Sequence, residues 1–131
     1  MMNQLLKLLG VAIVMMLGLS ACATTNNTSA NLPLAGDKPT FLFFYTDNWS
    51  PWMRMQPIVN GFQEEYDNQV EFLSFNALDN ADGEAIFAQL GLRGHPSILI
   101  YSVDGQQVYQ GLGIIDEEAL RVQIENRLSQ D

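Results

Sequence analysis

Three short apolar runs, residues 41–46, 70–75 and 97–101, constrain this chain more than any other feature. Each is too short for a buried helix and rich in aromatic or β-branched residues, so each reads as a strand covered on both faces. Asp47, Asn48, Ser50 and Pro51 end the first run and open a helix, since proline is tolerated in a first turn. Met55, Ile58 or Val59, Phe62 and Tyr66 then recur at helical spacing, with Pro57 expected to kink that helix and Gly61 to weaken it. Residues 79–83 read as a loop and 84–90 as a short helix with Ile86, Phe87 and Leu90 inward and Gly91 as its C-cap. Asp104-Gly105 predicts a hairpin into a return strand at residues 106–110. Asp116 predicts an N-cap, Glu117 and Glu118 suit the helix dipole, and Leu120, Ile124 and Leu128 give the last helix a buried face. The order is β-α-β-α-β-β-α, an α/β fold with a central mixed sheet flanked by helices. Strands joined by a helix are expected to be parallel, through right-handed crossovers, and the last two strands antiparallel.

What precedes this pattern is different in kind. Residues 8–19 are an uncharged apolar run behind Lys7, the length of a signal-peptide core, and Ser20, Ala21 and Cys22 follow. Leu19-Ser20-Ala21-Cys22 resembles the cleavage motif of bacterial lipoproteins. That resemblance implies a leader over 1–21 and a diacylglycerol on Cys22, the new amino terminus. An uncleaved anchor over residues 5–23 would give the same topology. Residues 23–31 are small, polar and without periodicity, so residues 22–36 read as a tether, with Leu32-Pro33-Leu34 the first part able to touch the domain at 37–131. The residue after Cys22 is Ala23 rather than the acid that retains many lipoproteins at an inner membrane. The expected location is therefore the cell envelope, with the domain facing periplasm or exterior and the outer membrane favoured if the cell has one.

The formal charge of −9 comes from 15 acidic against six basic groups. Nucleic-acid phosphates and anionic lipid head groups both need Lys and Arg, so neither is an expected partner of the domain surface. Membrane attachment is left to the lipid.

The domain's motifs, in their order and spacing, resemble the thioredoxin family. Phe43-Phe44-Tyr45-Thr46-Asp47-Asn48-Trp49 is similar to the strand and tryptophan before that family's Cys-x-x-Cys. Pro57 matches its helix proline. Leu92-Arg93-Gly94-His95-Pro96-Ser97 is similar to the loop whose proline is cis and faces the active site. The family's first strand and helix are missing or reduced. The resemblance puts Ser50 and Met53 at the two cysteine positions, in Ser50-Pro51-Trp52-Met53, and Phe44 where some members bury a carboxylate.

Thiol–disulfide exchange needs a thiolate and a resolving thiol. A serine hydroxyl and a thioether supply neither, and Cys22 is the chain's one cysteine. Redox catalysis is therefore not expected, no catalytic residue is assigned, and no cofactor is implied. The remaining site is a degenerate, partner-binding one: Trp49, Ser50, Pro51, Trp52, Met53, His95 and Pro96. Trp49 is expected to pack beneath the motif, Trp52 to be the better contact residue at its tip, and Met53 to fill the place of a buried cysteine. The expected function is a membrane-anchored, redox-inactive module that recognises an exported protein or peptide through the former groove. The alternatives are a thiol–disulfide oxidoreductase-related protein whose partner supplies the thiols, or copper handling by Met53, Met55 and His95. Two methionines at i and i+2 diverge on a helix, which weighs against shared ligation and against a metal site. A Ser50–His95 hydrolase lacks an identifiable third acid and oxyanion hole.

Overall fold

The structure, a computed structural model, describes residues 32–48, 50–79 and 81–131. The expected leader, Cys22, the tether up to residue 31 and Trp49 lie outside the described residues. The elements are β1 (Thr40–Tyr45), α1 (Ser50–Glu65), β2 (Glu71–Asn76), α2 (Asp82–Gln89), β3 (Ser97–Tyr101), β4 (Gln107–Leu112) and α3 (Glu117–Leu128). They follow the predicted order.

The four strands form one sheet in the order β2-β1-β3-β4. β1 and β2 are parallel, with Phe41 beside Phe72 and Phe44 beside Phe75. β3 runs antiparallel to β1, and β4 antiparallel to β3. This corrects the expectation for the second helix-joined pair. β3 does not pair with β2 but inserts on the far side of β1, so the rule for parallel neighbours does not apply to it.

β1 and β3 are central, which explains their unbroken apolar runs: residues Thr40 to Phe44 and Ser97 to Tyr101 are all buried. Alternation sends Phe41 and Phe43 to one face, where they meet Met55, Val59, Phe62 and Tyr66 of the α1 side and Leu120 and Ile124 of α3. It sends Leu42 and Phe44 to the other face, against Leu92, Leu99, Tyr101 and the α2 residues Ile86 and Phe87. Each fully buried Leu, Ile or Phe contributes about 1.5–3 kcal/mol of transfer free energy. Leu32 and Leu34 pack on this second face too, so the end of the predicted tether is part of the domain.

Local signals mostly hold. Asp116 caps α3, its carboxylate accepting from Ala119 N at 3.1 Å. Gly91 follows the α2 C-cap at φ +65°, a left-handed conformation that favours glycine. Pro57 lies inside α1 and is exposed, and the helix continues past it for eight residues. Gly83, predicted as loop, instead sits buried in the first turn of α2, where a Cβ would come within 2.1 Å of Asn76 O.

Arg121 of α3 ties the two helices of the first face together. Its Nη1 donates to both carboxylate oxygens of Glu65, at 2.6 and 2.7 Å, and to Tyr66 Oη at 3.2 Å. The guanidinium lies over the Phe62 ring, 5.1 Å from its centre. Tyr66 Oη in turn donates to Glu125 at 3.0 Å.

Candidate functional site

β1 ends at the C-terminal edge of the sheet, and the chain must turn there into α1. Asn48 makes that turn at φ +59°, a conformation asparagine tolerates better than most residues. Asp47 helps to hold it, its carboxylate accepting from Asn76 Nδ2 at 2.8 Å, which links the ends of β1 and β2. α1 then begins with Ser50 exposed, Pro51 and Trp52 half-buried and Met53 exposed.

The Trp52 ring stacks on Tyr45, centroids 5.6 Å apart and planes at 28°, and so belongs as much to the core's rim as to a free tip. Met53 is 63% exposed, which overturns its reading as buried filler. It stands in the first turn of α1 beside the exposed Arg54. The buried methionine is Met55, two residues on, whose sulfur accepts from Ile115 N at 3.3 Å. Met53 and Met55 are thus divided between surface and core, which removes the pair from a common metal shell. Among the described residues no three His, Cys, Asp or Glu side chains cluster as metal ligands.

The second half of the site is the loop before β3. The His95–Pro96 peptide bond is cis, and Pro96 is buried. Pro96 O accepts from Gly113 N at 2.8 Å, and Ser97 Oγ donates to Gly94 O at 2.6 Å, so the loop is fixed from both sides. His95 Nδ1 shares a 3.1 Å hydrogen bond with Thr46 Oγ1. This bond joins the two predicted halves, bringing the His95–Pro96 loop to the turn that carries Ser50 to Met53.

Three residues here were not among the predicted set. Thr46, 5% exposed, supplies the link just described. Leu112, the last residue of β4, and Ile114, 63% and 50% exposed, flank Gly113, whose N–H donates to Pro96 O. Leu112 also lies over Gly94, where an added Cβ would meet its Cδ1 at 2.9 Å. Two apolar residues around a glycine, Leu112-Gly113-Ile114, were the available signal. Met53, Leu112 and Ile114 give this end of the sheet exposed apolar contacts beside fixed backbone, a combination suited to binding extended polypeptide.

An α/β sheet of this order, with a cis proline loop hydrogen-bonded to the residue that follows the first strand, defines the thioredoxin-like class. Comparison with known proteins agrees. The chain is 26% identical over 112 residues to thioredoxin 1 of Synechococcus elongatus, covering 82% of this chain and 97% of that one. It is 28% identical over 104 residues to a thioredoxin of Alicyclobacillus acidocaldarius, covering 78% and 95%. The structure of a single-site mutant of a thioredoxin from Halobacterium salinarum superposes with a TM-score of 0.61 at 27% identity, covering 70% of this chain and 76% of that one. No protein-family model matches. The chain carries a thioredoxin-like superfamily domain.

Proposed function

We propose that this domain is a redox-inactive binding module, held on the outer side of a membrane by lipid on Cys22, that recognises an exported protein or peptide through its former active-site groove. The observation that carries the reading is the Thr46–His95 hydrogen bond. It holds the cis Pro96 loop to the end of β1, just ahead of a helix start that offers a hydroxyl and a thioether where exchange chemistry needs two thiols. What persists at the site is the part of the machinery that binds. Strand addition needs only main-chain hydrogen bonds for affinity and pockets or patches for alternate side chains. Met53, Leu112 and Ile114 supply such a patch.

The relatives' common name, thioredoxin, favours a second reading, in which a partner supplies the thiols and this chain presents the substrate. Both readings use the same groove and differ in whether disulfides change.

The test is photocrosslinking in native membranes, with a photoreactive residue in place of Met53 and a control probe at Asn126 on α3. A discrete adduct at Met53 and not at Asn126 supports a binding groove and identifies its ligand. Equal labelling at the two positions overturns it. If the adduct's disulfides are reduced or exchanged only when this protein is present, the second reading replaces the first.

A further inference from the structure

Four contacts close a ring at the end of the sheet that holds Pro96. Thr46 Oγ1 meets His95 Nδ1 at 3.1 Å, and the Leu112 side chain lies over Gly94. Gly113 N donates to Pro96 O at 2.8 Å, and Ile115 N donates to Met55 Sδ at 3.3 Å. The chain from Thr46 to Met55 completes the circuit. Arg93 adjoins Gly94 in this ring, and Arg54 adjoins Met55. Both arginines are exposed.

These two differ from the other lysines and arginines of the described residues. Lys38 pairs with Glu71 at 3.6 Å, Arg121 with Glu65 at 2.6 Å, and Arg127 with Asp131 at 2.9 Å. Arg54 and Arg93 have no carboxylate partner among the described residues. The chain carries 15 acidic against six basic groups, so a cation without a carboxylate is the exception, and both exceptions fall on one ring. The carboxylates next to the ring in sequence are engaged by the chain itself. Asp47 accepts from Asn76 Nδ2 at 2.8 Å and Asp116 from Ala119 N at 3.1 Å. Glu117 and Glu118 lie 3.4 and 3.8 Å from the Arg121 guanidinium.

A guanidinium without a partner presents a planar fork of N–H donors that fits a carboxylate. Met53, Leu112 and Ile114 add exposed apolar contacts on the same ring segments. Elsewhere the surface is dominated by Asp and Glu, which repel an acidic ligand and attract a basic one at many places. An acidic segment therefore meets a favourable field at this end, whereas a basic one has no cause to choose it. We infer that the Pro96 groove takes an acidic segment: extended polypeptide with apolar residues between Asp or Glu, whose carboxylates receive Arg54 and Arg93. The inference rests on the proposed groove and names the class of its ligand.

The experiment uses the full chain in non-ionic detergent and three short synthetic peptides. All share a Leu-Val-Leu centre, flanked by glutamates, by glutamines or by lysines. NMR locates binding, and titration gives affinity. The glutamate peptide is expected to shift the amides of Gly94, His95 and Gly113 and to bind about tenfold more tightly than the glutamine peptide. About 1 M salt should remove most of that preference. Arg54→Gln and Arg93→Gln are each expected to weaken the glutamate peptide about threefold and to leave the glutamine peptide unchanged. Neither side chain has an ion pair to lose, so both variants should keep the parent's unfolding midpoint. Lys38→Gln removes an equal charge away from the ring and should leave both affinities unchanged. Equal binding of the glutamate and glutamine peptides at the ring overturns the inference and leaves the groove standing. Equal weakening by Lys38→Gln, or tighter binding of the lysine peptide, also overturns it. Phosphatidylglycerol added to the micelles, if it shifts the amides of Arg54 and Arg93 without peptide, assigns the arginines to anionic lipid and overturns it. No shift at the ring with any peptide overturns the groove and this inference together.

Discussion

Thr46 Oγ1 and His95 Nδ1, 49 residues apart in sequence, meet at 3.1 Å and join the turn after β1 to the cis Pro96 loop. Removing that bond while keeping shape separates its structural from its functional weight. Thr46→Val is expected to cost about 1 kcal/mol, the usual net value of one hydrogen bond. Urea unfolding should show a lower midpoint at unchanged slope. Crosslinking from Met53 should fall more than this loss of stability accounts for, because the two halves of the groove are no longer held together.

Met53 and Met55 should behave as opposites. Met55 is fully buried, so Met55→Ala is expected to destabilise by about 2–5 kcal/mol through lost burial and a cavity. Met53→Ala, at a 63% exposed position, should leave the unfolding midpoint within experimental error and reduce partner capture. A large stability loss for Met53→Ala would contradict the exposure described above.

Restoring the two thiols should restore exchange chemistry. Ser50→Cys with Met53→Cys places a pair at the amino-terminal turn of α1, where the helix dipole favours a thiolate. The double variant is expected to catalyse insulin reduction with dithiothreitol above the uncatalysed rate, and the unaltered protein to match that rate. A double variant without activity would mean that the missing cysteines are not what separates this chain from its thioredoxin relatives.

The pH dependence follows from Glu65. The hydrogen bonds donated by the Arg121 guanidinium hold its carboxyl below the ordinary value of 4.5, against an opposing effect of burial. A depressed folded value contributes stability above the unfolded value, and that contribution is lost as pH falls through the folded one. Unfolding midpoints should therefore drop below about pH 4.5 more steeply in the native sequence than in Glu65→Gln, and the two curves should converge in acid. The size of the effect is modest because the pair is exposed to solvent.

Gly83→Ala probes a contact at the opposite end of the side-chain scale. The added methyl would overlap the backbone carbonyl of Asn76 at 2.1 Å, and a backbone atom cannot swing aside. A loss of about 1–3 kcal/mol is expected from overpacking. Amide shifts should move first at the β2–α2 junction.

Much of the architecture was legible because it repeats at short range. The unbroken apolar run at residues 41–44, the spacing of Met55, Val59, Phe62 and Tyr66, and the caps at Gly91 and Asp116 are each written within a dozen residues. The direction of β3 was not, because it depends on which side of β1 the strand joins, a choice made by the whole sheet. Gly83 read as loop because glycine's helix cost is a local signal and its fit beneath Asn76 O is not. For the site, only the resemblance to thioredoxins put Ser50, Met53, His95 and Pro96 in one place, and the exposure of Met53 needed the position of α1 on the sheet. The Arg121 cluster left no trace, since its acids come from two helices that meet only in the folded chain.

The seating of Leu32 and Leu34 has a mechanical consequence. Among the described residues, a pull on the amino-terminal side of residue 32 is borne first by these two side chains and by the Ala35 N bond to Thr40 Oγ1 at 3.1 Å. These contacts can peel away one at a time. β1 comes next, and it is clamped between β2 and β3 by ladders that must be sheared together. Residues 32–35 therefore act as a shock absorber, yielding under small loads while the strand that positions Thr46 stays in register.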